Sequence, residues 1–323
     1  MIAIFAALLW YVGLGSLYNT LVNIKVEYLI LAFAAYFGIN LLFAVRLRRV
    51  LGREGIKTSF GKTLLAQYAG MLTSDVTPGR SGYILTPIYL KDQNIPAPVS
   101  LSAILGIQSV EFLIKVVGGI GALVFLMQMS VVPLQTSDFL IIGLGIGLML
   151  TGAILLAAMS WSQRVISLVK RITSHRLLAR FTGGLMGKLE EYAENSKKTR
   201  KAFPEITALT FACWILKGFE WYFLGLALGI TQIPLIGYFL IHPLVTALAF
   251  VPITPAGAGI QEFGIVGVFG LLGIAATPAG AFAILARGLL IIEDLAGVPQ
   301  IVKTSGMLFS RKNPMRPPLK RRV

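Results

Sequence analysis

Long apolar runs separated by short polar turns dominate the chain, and they predict helices that cross a membrane. A helix needs about 20 apolar residues to span roughly 30 Å of hydrocarbon. We interpret the first run as a retained span and not as a signal peptide, because no basic segment precedes it and no small-residue cleavage site follows it. The runs predicted as full transmembrane helices are Ile2–Val22, Tyr28–Val45, Val99–Gln128, Phe139–Met159, Ile206–Ile230 and Thr277–Val302.

Four shorter apolar runs form two pairs, and a Thr-Pro motif interrupts each pair. The first pair surrounds Thr77–Gly82, with the sequence TPGRSG, and the second surrounds Thr254–Gly259, with the sequence TPAGAG. We predict two re-entrant helical hairpins, since non-helical backbone at membrane depth is tolerated where protein or water satisfies it. In the alternative, the two runs of the second pair, Pro234–Val251 and Ile260–Ile274, are ordinary spans and the chain has eight spans. The runs are Thr63–Thr73 with Tyr83–Leu90, and Pro234–Val251 with Ile260–Ile274.

Composition supports an all-α polytopic membrane protein. Hydrophobic residues make up 56% of the chain and charged residues 13%, and the mean hydropathy is +0.78. Soluble domains contain about 25% charged residues, so lipid must cover much of this apolar surface. We therefore expect one integral membrane domain over residues 1–323.

The net charge of +15 is concentrated in three basic clusters, at residues 46–62, 164–201 and 303–322, which hold 23 of the 29 Lys and Arg residues. These clusters alternate with apolar runs, as cytoplasmic loops do. A nucleic-acid-binding protein would instead gather its charge on one folded surface, so we expect no nucleic-acid partner. The pattern predicts a cell-membrane protein with cytoplasmic N- and C-termini.

The clusters also predict the sidedness of the two interrupted pairs. The first pair begins and ends inside, and the second begins and ends outside, which is the arrangement of an inverted repeat. Inverted repeats with broken helices place their substrate near the membrane midplane, although TPG-type turns are also common helix breaks. The predicted parts are a first repeat at about 41–160, a cytoplasmic amphipathic loop at 161–204, a second repeat at about 205–302 and a basic cytoplasmic tail at 303–323.

The first break has residue types suited to an anion. Pro78 and Gly79 interrupt the helix, and Ser81 and Gly82 are predicted to open a half-helix with free N–H groups at its positive end. Arg80 offers a planar fork that fits phosphate. In the alternative interpretation, Arg80 lies at the interface with the headgroups or pairs with Asp75. Pro255, Gly257 and Gly259 are the matching structural breaks in the second motif.

Ionisable residues inside the apolar runs are further candidates, because charges at membrane depth are costly and usually functional. The alternative is mutual neutralisation on one helix at spacings of three or four residues. Glu262 at the start of a half-helix also fits an offset of the helix dipole. The candidates are Glu111 with Lys115, Lys217 with Glu220, Arg287 on one face with Asp294, and Glu262.

Other chemistries find little support. With one cysteine and two histidines, neither a disulfide framework nor a cysteine or histidine metal cluster is expected. Residues 55–63 resemble a phosphate-binding loop, but five residues separate the glycines where the motif requires four. No nucleophile–base arrangement is recognisable. We therefore expect no cofactor, no nucleotide and no enzymatic activity.

The two motifs resemble the signatures of the lysylphosphatidylglycerol synthase transmembrane (flippase-like) family. Pro78–Gly82 followed by Val110-Glu111 is similar to the first signature, and Pro252–Glu262 followed by Arg287 is similar to the second. The chain departs from the family pattern at Phe112 and Lys115, and at Ala256. The resemblance implies a stand-alone member without the soluble aminoacyl-transfer domain.

This resemblance implies a transporter that moves an anionic phospholipid or polyprenyl-linked lipid between leaflets, with membrane lipids as partners. The alternative is a non-transporting membrane protein that anchors or regulates a lipid-modifying enzyme through the 161–204 loop. A third hypothesis is an intramembrane lipid-modifying enzyme. The expected substrate-binding residues are Arg80, Ser81, Gly82, Glu111, Glu262 and Arg287.

Overall fold

The computed structural model describes residues 13–173, 186–250 and 254–310, and over these residues the fold is all-α. This confirms the predicted class. The helices are α1 Leu14–Val22, α2 Val26–Arg53, α3 Phe60–Asp75, α4 Thr86–Tyr89, α5 Ala97–Met129, α6 Thr136–Trp161, α7 Gln163–Thr173, α8 Met186–Lys201, α9 Phe203–Ala227, α10 Leu235–Ala249, α11 Ile260–Leu271, α12 Ala276–Asp294 and α13 Val298–Ser310.

Within the described ranges, three helices are long and apolar enough to cross a membrane: α2, α5 and α6. They coincide with three of the six predicted spans. The predicted span 206–230 forms α9, which carries Lys217 and Glu220 in its interior. The predicted span 2–22 lies mostly outside the described residues, and its described part forms α1.

The interrupted pairs contain short helices, as predicted. Helix α3 has 16 residues, α10 has 15 and α11 has 12. At 1.5 Å per residue these helices are about 24, 22 and 18 Å long, and each is shorter than the roughly 30 Å hydrocarbon core.

Two predicted helices are interrupted. The run Tyr83–Leu90 is a 3-10 turn over Ser81–Leu85 followed by the single turn α4. This turn begins at Thr86 and has Pro87 in its first turn, where proline is well tolerated. The run Thr277–Val302 is not one helix either, since α12 ends at Asp294. Gly297 then crosses α3 so closely that a Cβ at Gly297 would lie 2.4 Å from the backbone nitrogen of Ala69.

The described helices pack around two large apolar cores and a small third cluster. Helix α2 packs along α9, and α5 packs against α6 and α10. The larger core contains Tyr36, Trp221, Tyr238, Phe269 and Phe282 and joins α2, α9, α10, α11 and α12. The second core joins the C-terminal half of α2 to α3, the first break and the start of α5.

Part of the predicted 161–204 loop is a docked element. Helix α7 lies within the segment that we predicted as an amphipathic loop, while residues 174–185 lie outside the described part. Helix α8 packs on α5, and Glu54, just beyond the end of α2, holds them together. The buried Glu54 carboxylate accepts hydrogen bonds from Ser102 at 3.0 Å and from Thr199. Burial raises the pKa of Glu54 from its ordinary 4.5 to about 7.

This buried carboxyl makes stability depend on pH. Because the folded pKa exceeds the unfolded one, the protonated form contributes stability that is complete below about pH 4.5 and lost as pH rises through about 7. The difference corresponds to about 3 kcal/mol at most. We expect Tm in detergent to fall between pH 5.5 and 8.5. Glu54→Gln should flatten this fall, and an equally steep fall in that variant would contradict the assignment.

Candidate functional site

The two Thr-Pro breaks contact each other directly. Pro78 and Pro255 form an antiparallel bridge, and the Ala256 N–H donates to the Thr77 carbonyl oxygen at 2.9 Å. The two breaks therefore lie side by side in the structure. Segments 177 residues apart in sequence meet at one point of the helical bundle.

Both breaks have the same local backbone conformation. The two residues after each proline have positive φ: 59° and 53° at Gly79 and Arg80, and 44° and 68° at Ala256 and Gly257. Only glycine adopts this region freely, so each break places its glycine at one of the two positions and strains the other. Such strain persists where the surrounding contacts enforce it, and it is common at functional sites.

Arg80 is held by its own loop and also reaches a cavity. Its guanidinium donates to Asp75 Oδ1 at 2.9 Å and to Ser74 Oγ at 3.4 Å. The alternative prediction of an Arg80–Asp75 pair is thus confirmed. The Arg80 side chain is 13% exposed, and it lines both lobes of the cavity described below.

The free N–H groups predicted after Arg80 are not found. The Ser81 N–H donates to the Pro78 carbonyl at 3.2 Å, and the Gly82 N–H donates to Thr77 Oγ1 at 2.7 Å. The threonine hydroxyl therefore occupies the place that we expected an anion to take. Ser81 and Gly82 line neither lobe of the cavity, so the prediction of a half-helix anion site was wrong and only the Arg80 guanidinium remains from it.

Two adjoining cavities, which we call the larger and the smaller lobe, lie among the helices. The volumes of the two lobes are about 120 Å³ and about 50 Å³. A single water molecule needs about 10–15 Å³ of such volume, so both lobes are much larger than one water. The wall shared by the lobes contains Arg80, Lys217, His242, Thr246 and Leu290. The larger lobe is both cationic and apolar: its lining includes Arg46, Arg80, Lys115 and Lys217, one acid, Glu111, and the apolar residues Phe43, Met71, Ile114, Trp214 and Phe250.

The charged residues predicted inside the spans are paired. Glu111 accepts from Lys115 at 2.9 Å, and Glu220 accepts from Lys217 at 2.7 Å. The hypothesis of same-helix neutralisation is therefore confirmed for both pairs. Both lysines nevertheless line the cavity, and an aromatic ring lies beside each, at 4.6 Å from Lys217 Nζ to Tyr36 and 5.1 Å from Lys115 Nζ to Phe250.

Arg46 also lies in surroundings that differ from those we predicted. We assigned it to a cytoplasmic basic cluster, but its side chain is 1% exposed, donates to Thr210 Oγ1 at 2.8 Å and pairs with Glu111 at 3.3 Å. Its Nε has no hydrogen-bond partner within the described structure. The sequence did contain a signal that Arg46 faces inward. Ile39, Phe43 and Arg46 are spaced four and three residues apart, which places them on one helical face, and all three line the cavity.

Glu262 and Arg287 hold the second break. The Glu262 carboxylate accepts from the Gly259 N–H at 2.6 Å and from Arg287 Nε. Arg287 also donates to Gln261 at 3.1 Å and to the Ala256 carbonyl at 3.4 Å. Both residues line the smaller lobe. Arg287 does not pair with Asp294, which instead accepts from the Tyr36 hydroxyl at 3.0 Å.

The first break should depend on the absence of a side chain at Gly82. A Cβ at Gly82 would lie 2.4 Å from the Thr73 carbonyl oxygen, whereas a Cβ at Gly61 would meet nothing within 4 Å. We expect Gly82→Ala to destabilise the protein by about 1–3 kcal/mol through overpacking, and Gly61→Ala to be neutral or slightly stabilising in its helix. Tm values of the two purified variants provide the test. Equal Tm values would show that the break tolerates a side chain.

Comparisons with known proteins agree with this architecture. The family model described as "Lysylphosphatidylglycerol synthase TM region" matches residues 1–293. A UPF0104 membrane protein of Methanocaldococcus jannaschii is 34% identical over 105 residues, which cover 30% of this chain and 43% of that protein. The chain thus spans less than half of that relative's length. With a family match over most of its sequence and several apolar helices, the chain is a multi-pass membrane protein that belongs to the lysylphosphatidylglycerol synthase transmembrane family.

Proposed function

We propose that this protein is a flippase-like transporter that moves a lipid with an anionic phosphate headgroup between the leaflets of the cell membrane. The observation that carries this proposal is the larger lobe of the cavity, which four cationic side chains and several apolar ones line together. One of these cations, Arg80, belongs to the break that contacts the second break. An amphiphile with a negative headgroup matches such a lining in both charge and polarity.

The charge balance of this lobe leaves room for one anion. Its four cations pair with three carboxylates, those of Asp75, Glu111 and Glu220. One positive charge is therefore in excess. A phosphate group would balance it and would also offer acceptors to Arg46 and Arg80, whose forks suit phosphate oxygens. Phospholipids and polyprenyl-linked lipids both carry a phosphate group of this kind.

The two interrupted pairs are proposed to be opposed re-entrant hairpins of an inverted repeat. Three observations support this arrangement: the helices are too short to span the hydrocarbon, the two breaks have the same left-handed backbone, and the breaks contact each other. With the basic clusters in the cytoplasm, the first hairpin would enter from inside and the second from outside. The cavity would then lie where the hairpins meet.

Arg80 is proposed to exchange partners during binding. In the structure it pairs with Asp75, and its exposed face borders the cavity. An incoming phosphate would compete with Asp75 for the guanidinium. Charge-assisted hydrogen bonds of this kind contribute about 1.5–3 kcal/mol each, so the competition lies between interactions of similar strength and permits release as well as binding.

The test is translocation of fluorescent phosphatidic acid and of a polyprenyl phosphate in proteoliposomes. We expect Arg80→Ala to reduce flipping at least tenfold and Arg80→Lys to reduce it less, since lysine keeps the charge but loses the fork. The matched control is Arg53→Ala, because Arg53 pairs with Glu205 on the exposed surface. This variant should flip lipid at the parental rate.

Asp75→Asn separates binding from structure in the same assay. If Arg80 binds phosphate, Asp75→Asn frees the guanidinium and should preserve or tighten lipid binding. If Arg80 serves only its ion pair, Asp75→Asn should mimic Arg80→Ala in both flipping and Tm. Normal flipping by a folded Arg80→Ala protein would remove Arg80 from the site. No flipping of any lipid by the parent would favour the alternative function, a membrane anchor for a lipid-modifying enzyme.

A further inference from the structure

We infer that Asp75 and Asp294 form a proton-binding site that takes up a second proton when an anionic headgroup engages Arg80. The proton-binding site concerns the protein alone. The uptake of a second proton rests on the proposed transport function and deepens it by naming the coupled ion.

The two carboxyl groups face each other inside the protein. Asp75 ends α3 and Asp294 ends α12, and the residues are 8% and 0% exposed. Helices α3 and α12 pack against each other, and the two carboxyl groups are close enough to influence each other's charge. The second oxygen of Asp75 has no hydrogen-bond donor in the described part of the chain. Asp294 accepts only from the Tyr36 hydroxyl among the described residues and forms no ion pair there. A buried carboxylate without a bonded cation is costly, so a proton on the pair removes that cost.

The surrounding charges favour one proton on the pair. Arg80 is the cation bonded to Asp75, and the Tyr36 hydroxyl donates to both oxygens of Asp294 at 3.0 and 3.2 Å. The two other cations near the pair are Lys217, which is bonded to Glu220, and Arg287, which is bonded to Glu262. Two carboxylates and one available guanidinium leave one negative charge, which one proton neutralises. The other groups facing the pair are Lys217 and Glu220 on α9, Arg287 and Glu293 on α12, and Tyr68 on α3.

Headgroup binding would change this balance. When a phosphate takes the Arg80 guanidinium, the singly protonated pair is left with a buried negative charge that has no cation, which is costly. A proton from water then adds to the remaining carboxylate and gives two neutral carboxyl groups. On release the guanidinium returns and that proton leaves. Tyr36 provides a route, since its side chain lines the larger lobe and bonds to Asp294.

Infrared spectroscopy of the protein in nanodiscs of ether-linked phosphatidylcholine, which has no ester carbonyl, tests the site itself. At pH 8, where Glu54 is ionised, the parent should show a carbonyl band from one protonated carboxyl that Asp294→Asn lacks. Glu190→Gln, which removes an exposed carboxyl, should leave the band intact. Tyr36→Phe keeps both carboxyl groups and should shift the band, so it replaces Asp294→Asn if that variant does not fold. Parental spectra from both variants would overturn the proton site.

Ether-linked phosphatidic acid, which also has no ester carbonyl, tests the coupling in the same nanodiscs. We expect the band to double in the parent, to stay unchanged in Arg80→Ala and to stay unchanged with added phosphatidylcholine. An unchanged band in the parent overturns the coupling. Flipping of phosphatidic acid by the same preparation then separates the two ideas. If the parent flips phosphatidic acid without gaining a proton, only the coupling fails. If the parent does not flip this lipid, the transport proposal fails. In that case the carbonyl band measured without phosphatidic acid still decides the proton site.

Discussion

The contact between the two Thr-Pro breaks is the constraint on which the rest of this structure depends. A broken helix leaves backbone donors and acceptors without their usual partners, and wherever water is excluded each orphan costs several kcal/mol. Here the Thr77 carbonyl of the first break accepts from the Ala256 N–H of the second break, in addition to the Arg80 N–H of its own loop. Proline cannot donate, so the residues beside Pro78 and Pro255 make this connection. Without the first break, the Ala256 N–H would lose its acceptor.

This contact also assembles the charged groups. It brings Arg80 into the wall between the two lobes, with Glu262 and Arg287 clamping the second break on the other side. Arg46 and Lys115 enter from α2 and α5 and share Glu111. The result is a polar network enclosed by apolar cores, in which each cation has a carboxylate partner and an anionic guest changes the balance by one charge.

Much of the fold followed from local signals. Apolar run length predicted the helical class, the repeated Thr-Pro motif predicted the two breaks, and spacings of three and four residues predicted the pairs at Glu111–Lys115 and Lys217–Glu220. These features are local, so neighbouring residues in one sequence are enough to reveal them.

The remaining features depend on contacts between distant segments. Arg46 sits beside other basic residues, and its burial follows from α9 and α5, which supply Thr210 and Glu111. The Ser81 N–H donates to the Pro78 carbonyl and the Gly82 N–H to the Thr77 hydroxyl, and the helix-dipole argument included neither of these loop contacts. Asp294 finds Tyr36 at a separation of 258 residues, and no periodicity in a single sequence encodes such a pairing.

The most direct test of this account is the sidedness of the two broken pairs. Single cysteines at Lys91, after the first pair, and at Gln232, before the second, would be introduced into a Cys213→Ala background, since Cys213 is the native cysteine. Both positions are exposed in the structure. With an impermeant thiol reagent on intact cells, the account predicts labelling at position 232 and protection at position 91 until the membrane is permeabilised. Labelling of both positions from the same side would contradict the opposed arrangement.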